Sequence, residues 1–345
     1  MTETGPLGPV ASLVARPASW VYAAIVAMRN ASFDRGRGVH QLPVPVISIG
    51  NITVGGTGKT PLVAWVALRL IECGKRPGIA MRGYRAAVGE RGDEEREYEL
   101  VAPRLPVIAH PKRFDAVSQF LSKHPNAIDC VILDDGFQHR QLARDLDVVL
   151  VDAARPGLEG PLLPSGWLRE AASSLRRADA VIVTHVDHLD ISQAAKLDQQ
   201  IRSLHGRAPI AWCKHVWRGI DLHSNGGVQR LGTDWLRGKR LLGAFGVGNP
   251  RSVRIAYETA GASHITEIVV GDHATYTEKD LRKWRGMVSA AKLDAVAVTR
   301  KDWTKIRPLV PVEFPPVVVP DLAIEFTAGE TEFAELIARS ARMRR

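Results

Sequence analysis

The sequence predicts an α/β protein, with a parallel sheet sandwiched by helices and built around a P-loop, followed by a second, smaller α/β region. Three observations carry this. Short apolar runs of strand type alternate with segments of helical spacing, the pattern of parallel strands covered on both faces. One strand-to-helix turn, Gly50 to Pro61, reads GNITVGGTGKTP. A length of 345 residues exceeds what one core usually fills, and a second βα series begins beyond a change of character near residues 205–220.

The glycine-rich turn is the most informative stretch. It follows the apolar run Val44 to Ile49 and precedes a helical stripe of Leu62, Val63, Val66, Leu68 and Leu70. Strand, glycine-rich turn, Lys-Thr and helix together cradle a triphosphate. Gly55, Gly56 and Gly58 let main-chain amides approach phosphate oxygens, with the positive end of the next helix behind them. Lys59 is expected to reach the β- and γ-phosphates, and the Thr60 hydroxyl to take one Mg²⁺ position. The usual motif has Gly at position 53, and Thr53 stands there instead.

In chain order, residues 1–40 differ from the core. The run Ala18 to Met28 is apolar nearly all round, with Arg16 before it and Arg29, Arg35 and Arg37 after it. Its 11 residues are too few to span a bilayer as a helix. Glu3 and the want of a small-residue cleavage site argue against a secretory leader. A Trp- and Tyr-bearing helix flanked by arginines suits a membrane interface, or else packs on the core. Beyond the P-loop helix, Pro77 to Met81 reads as strand, leading through Arg82-Gly83-Tyr84 into a polar loop with Gly92-Asp93-Glu94. Phe114 to Lys123 reads as helix, Ile128 to Leu133 and Leu146 to Val151 as strands, Arg169 to Arg177 as helix and Ala180 to Thr184 as strand.

Pro209 to Trp217 reads as an extended connector. The second series is strand Leu241 to Phe245, helix Pro250 to Ala260, strand His264 to Val270, helix Thr277 to Ala290 and strand Ala295 to Thr299. Pro315 to Val319 and Leu322 to Phe326 are extended, and Glu330 to Arg342 closes as helix.

Bulk composition narrows the partners. A net charge of +9 suits an anionic substrate or an acidic membrane surface. With aromatic residues at 6% and no module pairing basic patches with stacking rings, nucleic acid is not expected. Cys73, Cys130 and Cys213 are odd in number and lack metal spacing, so they read as reduced thiols.

Further constellations bear on chemistry. Asp134-Asp135 ends a buried strand, the edge where doubly wound sheets bind ligands, and such an acid after a P-loop holds Mg²⁺. The alternative is a plain Asp-Gly turn. Asp93-Glu94 lies in the charge run ERGDEERE, which alone reads as solvated surface, and His273 is a lone loop histidine. A transferase acting on a hydroxyl needs a proton acceptor, and a carboxylate-oriented histidine supplies one. Thr184 to Asp187 and Thr299 to Asp302 follow strands but lack the Asn-Lys pair of guanine readers.

Taken together, these pieces resemble the tetraacyldisaccharide 4'-kinase family. The segments are the N-terminal apolar helix, GNITVGGTGKTP at 50–61, RGY at 82–84, GDE at 92–94, DDGFQHR at 134–140, LLPSGWLRE at 162–170, GVGNP at 246–250, GDH at 271–273 and TRKD at 299–302. The resemblance implies transfer of the ATP γ-phosphoryl group to the 4'-hydroxyl of an acylated glucosamine disaccharide 1-phosphate, at the cytoplasmic face of the inner membrane. It implies Thr53, Val54, Gly55, Gly56, Thr57 and Gly58 as the cradle, with Lys59 and Thr60 serving phosphates and Mg²⁺. Asp93 paired with His273 becomes the proton-accepting unit. Glu94, Asp134 and Asp135 place the metal, and Arg82, Gln138 and His139 are substrate or metal-shell contacts. It further implies a domain plan. Residues 1–40 form the membrane-interface region, 41–208 the P-loop core, 209–218 and 316–327 a two-stranded hinge, 219–315 a smaller domain closing over nucleotide, and 328–345 the last helix. No obligate protein partner is implied. Two departures, Arg85 for Gly in the RGY segment and Glu95 for Pro after GDE, bear on the acceptor loop and not on the phosphate site. The rival is a regulatory or chaperone NTPase that uses the same loop as a conformational switch.

Overall fold

The structure, a computed structural model, describes residues 7–83, 92–271 and 275–342, without the side chains of Pro9, Val10, Leu13, Asp93 and Glu94. The chain forms two compact units. The first takes Met1–Gly83, Val101–His215 and Ile324–Arg345; the second takes Tyr84–Leu100 and Val216–Ala323.

Helices α1 (Pro9–Val14) and α2 (Arg16–Asp34) open the first unit, followed by β1 (Val46–Asn51), α3 (Lys59–Glu72) and β2 (Pro77–Met81). Helix α4 (Asp93–Val101) follows, then β3 (Val107–Ala109), α5 (Arg113–Lys123), β4 (Cys130–Asp134), β5 (Leu146–Asp152), β6 (Ala180–Thr184) and α6 (Ile191–His205). Strand β7 (Ala211–Ser224) leads into the second unit, which continues with β8 (Gly227–Leu231), β9 (Arg240–Ala244), α7 (Pro250–Thr259), β10 (His264–Ile268), α8 (Glu278–Ala290), β11 (Ala295–Val298) and α9 (Arg300–Ile306). Strand β12 (Val317–Ala328) returns to the first unit, where α10 (Glu330–Ser340) docks.

In the first unit the strand order is β7-β6-β5-β1-β4-β2-β3, with parallel pairing throughout. Strands β1, β2, β4, β5 and β6 are buried at every residue, which is why they read as unbroken apolar runs rather than alternating ones. Helix α3 packs Leu62, Val63, Val66, Ala67 and Leu70 inward. Leu68, expected in that stripe, faces outward instead, because two residues before Leu70 is about 200° around the helix. The second unit orders its strands β10-β9-β11-β12-β7, with β8 antiparallel on β7.

Several sequence expectations change. Asp93 and Glu94 open a helix rather than sit in a loop; with Tyr98 buried and Leu100 packed on the second unit's core, this helix groups outside the P-loop core expected over 41–208. The stretch 169–177 is a 3-10 helix only from Ala172 to Arg177. The connector after Pro209 is a 14-residue strand that turns back at Asn225-Gly226, a hairpin dipeptide. The two extended pieces near 315–326 are one strand.

Within the second unit, Asp302 is fully buried and fully employed. Its carboxylate accepts from the amide of Gly246 (3.1 Å), the hydroxyl of Tyr276 (2.7 Å) and the hydroxyl of Thr299 (2.6 Å). The TRKD segment is therefore a helix-start lock that ties down the GVGNP loop.

Helix α2 is docked by its polar side chains. Ser19 bonds Ser165, the Tyr22 hydroxyl donates to the Arg169 carbonyl (3.1 Å), Asn30 donates to Glu170 (2.7 Å) and Arg29 donates to the Gln138 carbonyl. Arg140 reaches back to Asp34 at 2.6 Å. Its apolar residues Trp20, Val21, Ile25 and Met28 stay exposed, inverting the usual arrangement of a surface helix. Among the described residues no helix is long and apolar enough to cross a membrane.

Candidate phosphate-binding site

The site grows from the C-terminal end of β1. Past Asn51 the chain runs alongside segment 167–169: the Val54 amide donates to the Trp167 carbonyl (2.8 Å), and the Arg169 amide to that of Ile52 (2.8 Å). Thr53 forms a bridge with Leu168, and the Asn51 side chain donates to the Thr53 carbonyl (2.9 Å). Residue 53 is thus pinned in an extended conformation that any L-residue adopts, which accounts for Thr where the common motif has Gly.

The loop then needs glycine twice for its backbone. Gly55 has φ +116° and Gly58, the residue before α3, has φ +76°. At Gly58 the His215 ring also fills the space a Cβ would take, and at Gly55 the tip of the Arg155 guanidinium would have to move to admit one. The left-handed turn at Gly58 starts α3 and leaves its first amides unbonded within the helix, ready for an anion.

Lys59 extends under the loop, donating to Asn51 Oδ1 (3.2 Å) and lying 3.5 Å from Asp135. Asp135 also accepts from Arg169 at 2.7 Å. Burial pushes its carboxyl up, but Lys59, Arg169 and Arg113 together hold it below the usual carboxylate range, so it is ionised. Asp135 has φ +48°, a conformation costly for a residue with a Cβ and held here by its two ion pairs. Asp134, immediately before it, is buried at the end of β4. Gln138 donates to the Asn51 carbonyl (2.9 Å), closing the floor of the site. His139 is driven down to about 4 by burial and by Arg113, Arg144, Arg29 and Arg82, so it is neutral at pH 7.

A second line of polar groups supports the loop from β5, β6 and β7. Asp152 Oδ1 lies 3.0 Å from His185 Nδ1, and His185 Nε2 lies 2.6 Å from His215 Nδ1. Where the Asp152 carboxylate accepts from His185 Nδ1–H, His185 Nε2 is left to accept, and His215 donates to it from its own Nδ1. Burial, then His185, lower His215 to about 4.

Of the residues expected from sequence, Thr53 to Thr60, Asp134, Asp135, Gln138 and His139 belong to the first unit, as does Arg82 just past β2. The side chains of Asp93 and Glu94, and all of His273, lie outside the described residues. Sequence reading assigned no role to Asn51, Arg113, Arg155, Arg169 or His215. The pairing of Arg169 with Asp135 spans 34 positions and carries no local signal, although Arg169 does belong to the LLPSGWLRE segment. Among the described residues no group of three His, Cys, Asp or Glu side chains is arranged to hold a metal. The donors fit a hard ion that keeps most of its shell as water and phosphate oxygens, namely the Thr60 hydroxyl and the Asp134 carboxylate.

Comparison with known proteins adds a family. A family model described as tetraacyldisaccharide-1-P 4'-kinase matches residues 11–342. The chain is 35% identical to a tetraacyldisaccharide 4'-kinase of Anaeromyxobacter sp., covering 92% of this chain and 88% of that one. It is 34% identical to one of Geobacter sulfurreducens, covering 86% and 84%. The fold is similar to a crystal structure of LpxK from Aquifex aeolicus in complex with ATP, with TM-score 0.73, 25% identity and coverage of 96% and 100%.

Proposed function

The chain belongs to the tetraacyldisaccharide-1-P 4'-kinase family, and from that premise we infer that it transfers the γ-phosphoryl group of ATP to the 4'-hydroxyl of an acylated glucosamine disaccharide 1-phosphate. The observation that carries the chemistry is Lys59, held between Asn51 and Asp135 beneath a loop of main-chain amides. Phosphoryl transfer asks the protein mainly for positioning and charge stabilisation. Asn51 and Asp135 keep the Lys59 ammonium from solvent and aim it at the loop, while the amides before α3 take the phosphate oxygens. Mg²⁺, when bound, neutralises charge on the transferring group. We assign Thr60 and Asp134 to hold it, with Glu94 on α4 as a further carboxylate. Asp135 serves chiefly to order Lys59 and Arg169.

For the acceptor, Asp93 and His273 are proposed as the pair that takes the hydroxyl proton, and Arg82, Gln138 and His139 as contacts to the substrate. Alanine at Asp93 or at His273 should lower kcat by about 10²-fold or more. The double variant should be little worse than either single one, whereas multiplying losses would rule out a coupled pair. The apolar face of α2 and its arginines support a peripheral seat on the inner membrane's cytoplasmic face, where the substrate's acyl chains remain in lipid.

The direct test is incubation of the purified protein with labelled ATP and a lipid disaccharide 1-phosphate. Label should appear in the lipid, and Lys59→Ala should abolish transfer while the protein stays folded. ATP hydrolysis without lipid labelling would instead mark the switch-NTPase rival.

A further inference from the structure

Arg155 is a half-buried cation that the site described so far does not use. Its place is set by the end of β5. The Ala154 amide donates to Asp152 Oδ1 (3.0 Å) and the Arg155 amide to the Asp152 carbonyl (3.1 Å), a turn that sends residue 155 toward the phosphate loop. The guanidinium then stacks on Trp167, its central carbon 4.2 Å from the ring centroid. Trp167 is itself fixed to the loop, since its carbonyl accepts from the Val54 amide. One terminal nitrogen, NH2, is the nearest atom to the side-chain position that Gly55 leaves empty. No carboxylate among the described residues pairs with this charge, whereas Lys59 and Arg169 share Asp135 and Arg177 holds Glu170.

We propose that Arg155 contacts the γ-phosphoryl group and stabilises the charge that spreads over it during transfer, an arginine acting within its own chain. Three points lead there. The loop amides cradle the α- and β-phosphates and Lys59 reaches the β- and γ-phosphates, while Arg155 NH2 lies against this same loop at Gly55, within reach of what the loop holds. A stacked guanidinium is rotationally fixed and presents its remaining N–H groups in a plane suited to two phosphate oxygens. A half-buried cation with no ion-pair partner among the described residues, lying against a bed of amide donors, adds to a field that an anion relieves. The inference rests on the kinase reading above and adds a residue to it.

The test uses the full chain with Arg155→Met, which keeps an apolar side chain against Trp167 without the charge, and Arg155→Lys, which keeps the charge without the plane. Steady-state transfer to the lipid acceptor is measured with ATP varied, alongside direct binding of ATP and ADP and thermal unfolding. A contact made in the transition state lowers kcat and leaves KM nearly unchanged. The expected result for Arg155→Met is a loss of about 10²- to 10³-fold in kcat, the size seen when one such donor is removed. KM for ATP and affinity for ADP should stay within about threefold, and Arg155→Lys should recover only part of the loss. A kcat within about fivefold of wild type in Arg155→Met, while Lys59→Ala is inactive, would overturn this inference and leave the kinase assignment standing. A large kcat loss matched by an equal loss of ADP affinity and a lowered unfolding midpoint would also overturn it, since packing alone would then explain the effect. Failure of the wild-type protein to bind ATP would remove both.

Discussion

At the scale of single residues, the site is a set of charges that would be costly apart and is stable together. Asp135 is half of two ion pairs, and a buried carboxylate of this kind is ionised only while its cations stay. The neutral histidines give a pH dependence of the opposite origin. His139 and His215 each take a proton near 6.5 in the unfolded chain but only near 4 when folded. Above pH 6.5 both states are neutral and stability is full. Between 6.5 and 4 the unfolded chain binds protons first, so stability falls by up to about 1.4 kcal/mol per pH unit for each histidine. Urea unfolding at pH 7.5 and pH 5 should show a lower midpoint at the acid end, with the difference reduced in His215→Gln. Lys59, Thr60 and the glycines were legible in sequence because the loop's chemistry is local. Arg155 and His215 were not, because the Gly55 backbone and the His185 ring they meet lie far away in the chain and only tertiary folding brings them together.

Among the elements, α3 owes its place to α10 as well as to the sheet. Trp65 stacks on Phe333 (5.4 Å between ring centroids), and Phe326 on β12 closes the cluster at 4.8 Å from Trp65. Arg69 adds an ion pair to Glu330 at 2.8 Å. Phe333 has no exposed surface, so Phe333→Ala should cost about 3–5 kcal/mol, read as a lower urea midpoint at constant slope. A loss below about 1 kcal/mol would mean that α10 is not part of the cooperative core. Strands β1, β2, β4, β5 and β6 were readable because they are buried at every residue, whereas β3, three half-buried residues at the sheet edge, was not. Helix α4 was not, because its first residues DEERE are all charged or polar and, among its described side chains, Tyr98 alone is buried. The hairpin at Asn225-Gly226 had a readable turn dipeptide, but the exposed β8 beside it lacks the apolar alternation of a half-buried strand.

For the molecule as a whole, charge and exposed apolar surface both suit the membrane seat proposed for α2. The chain carries +9, and α2 sets Trp20, Val21, Ile25 and Met28 toward solvent between Arg16 and Arg29. Vesicles containing anionic lipid should sediment the protein, with binding weakened at high salt. Replacing Trp20, Ile25 and Met28 by Ser should weaken binding by about tenfold or more, because roughly 1.5–3 kcal/mol accompanies burial of each large apolar side chain. Unchanged sedimentation of that variant would exclude the helix as the anchor.

The manner in which α2 is fastened has a consequence for anyone seeking a better-behaved version of this protein. The side chains that hold it grip the carbonyls of Gln138 and Arg169 and the carboxylate of Glu170, and Arg169 in turn steadies Asp135 and, through it, Lys59. Trimming away the greasy N-terminal segment to gain solubility therefore removes a brace as well as the membrane contact proposed for it. The shortened protein is expected to be a poor catalyst even toward an acceptor that needs no bilayer at all.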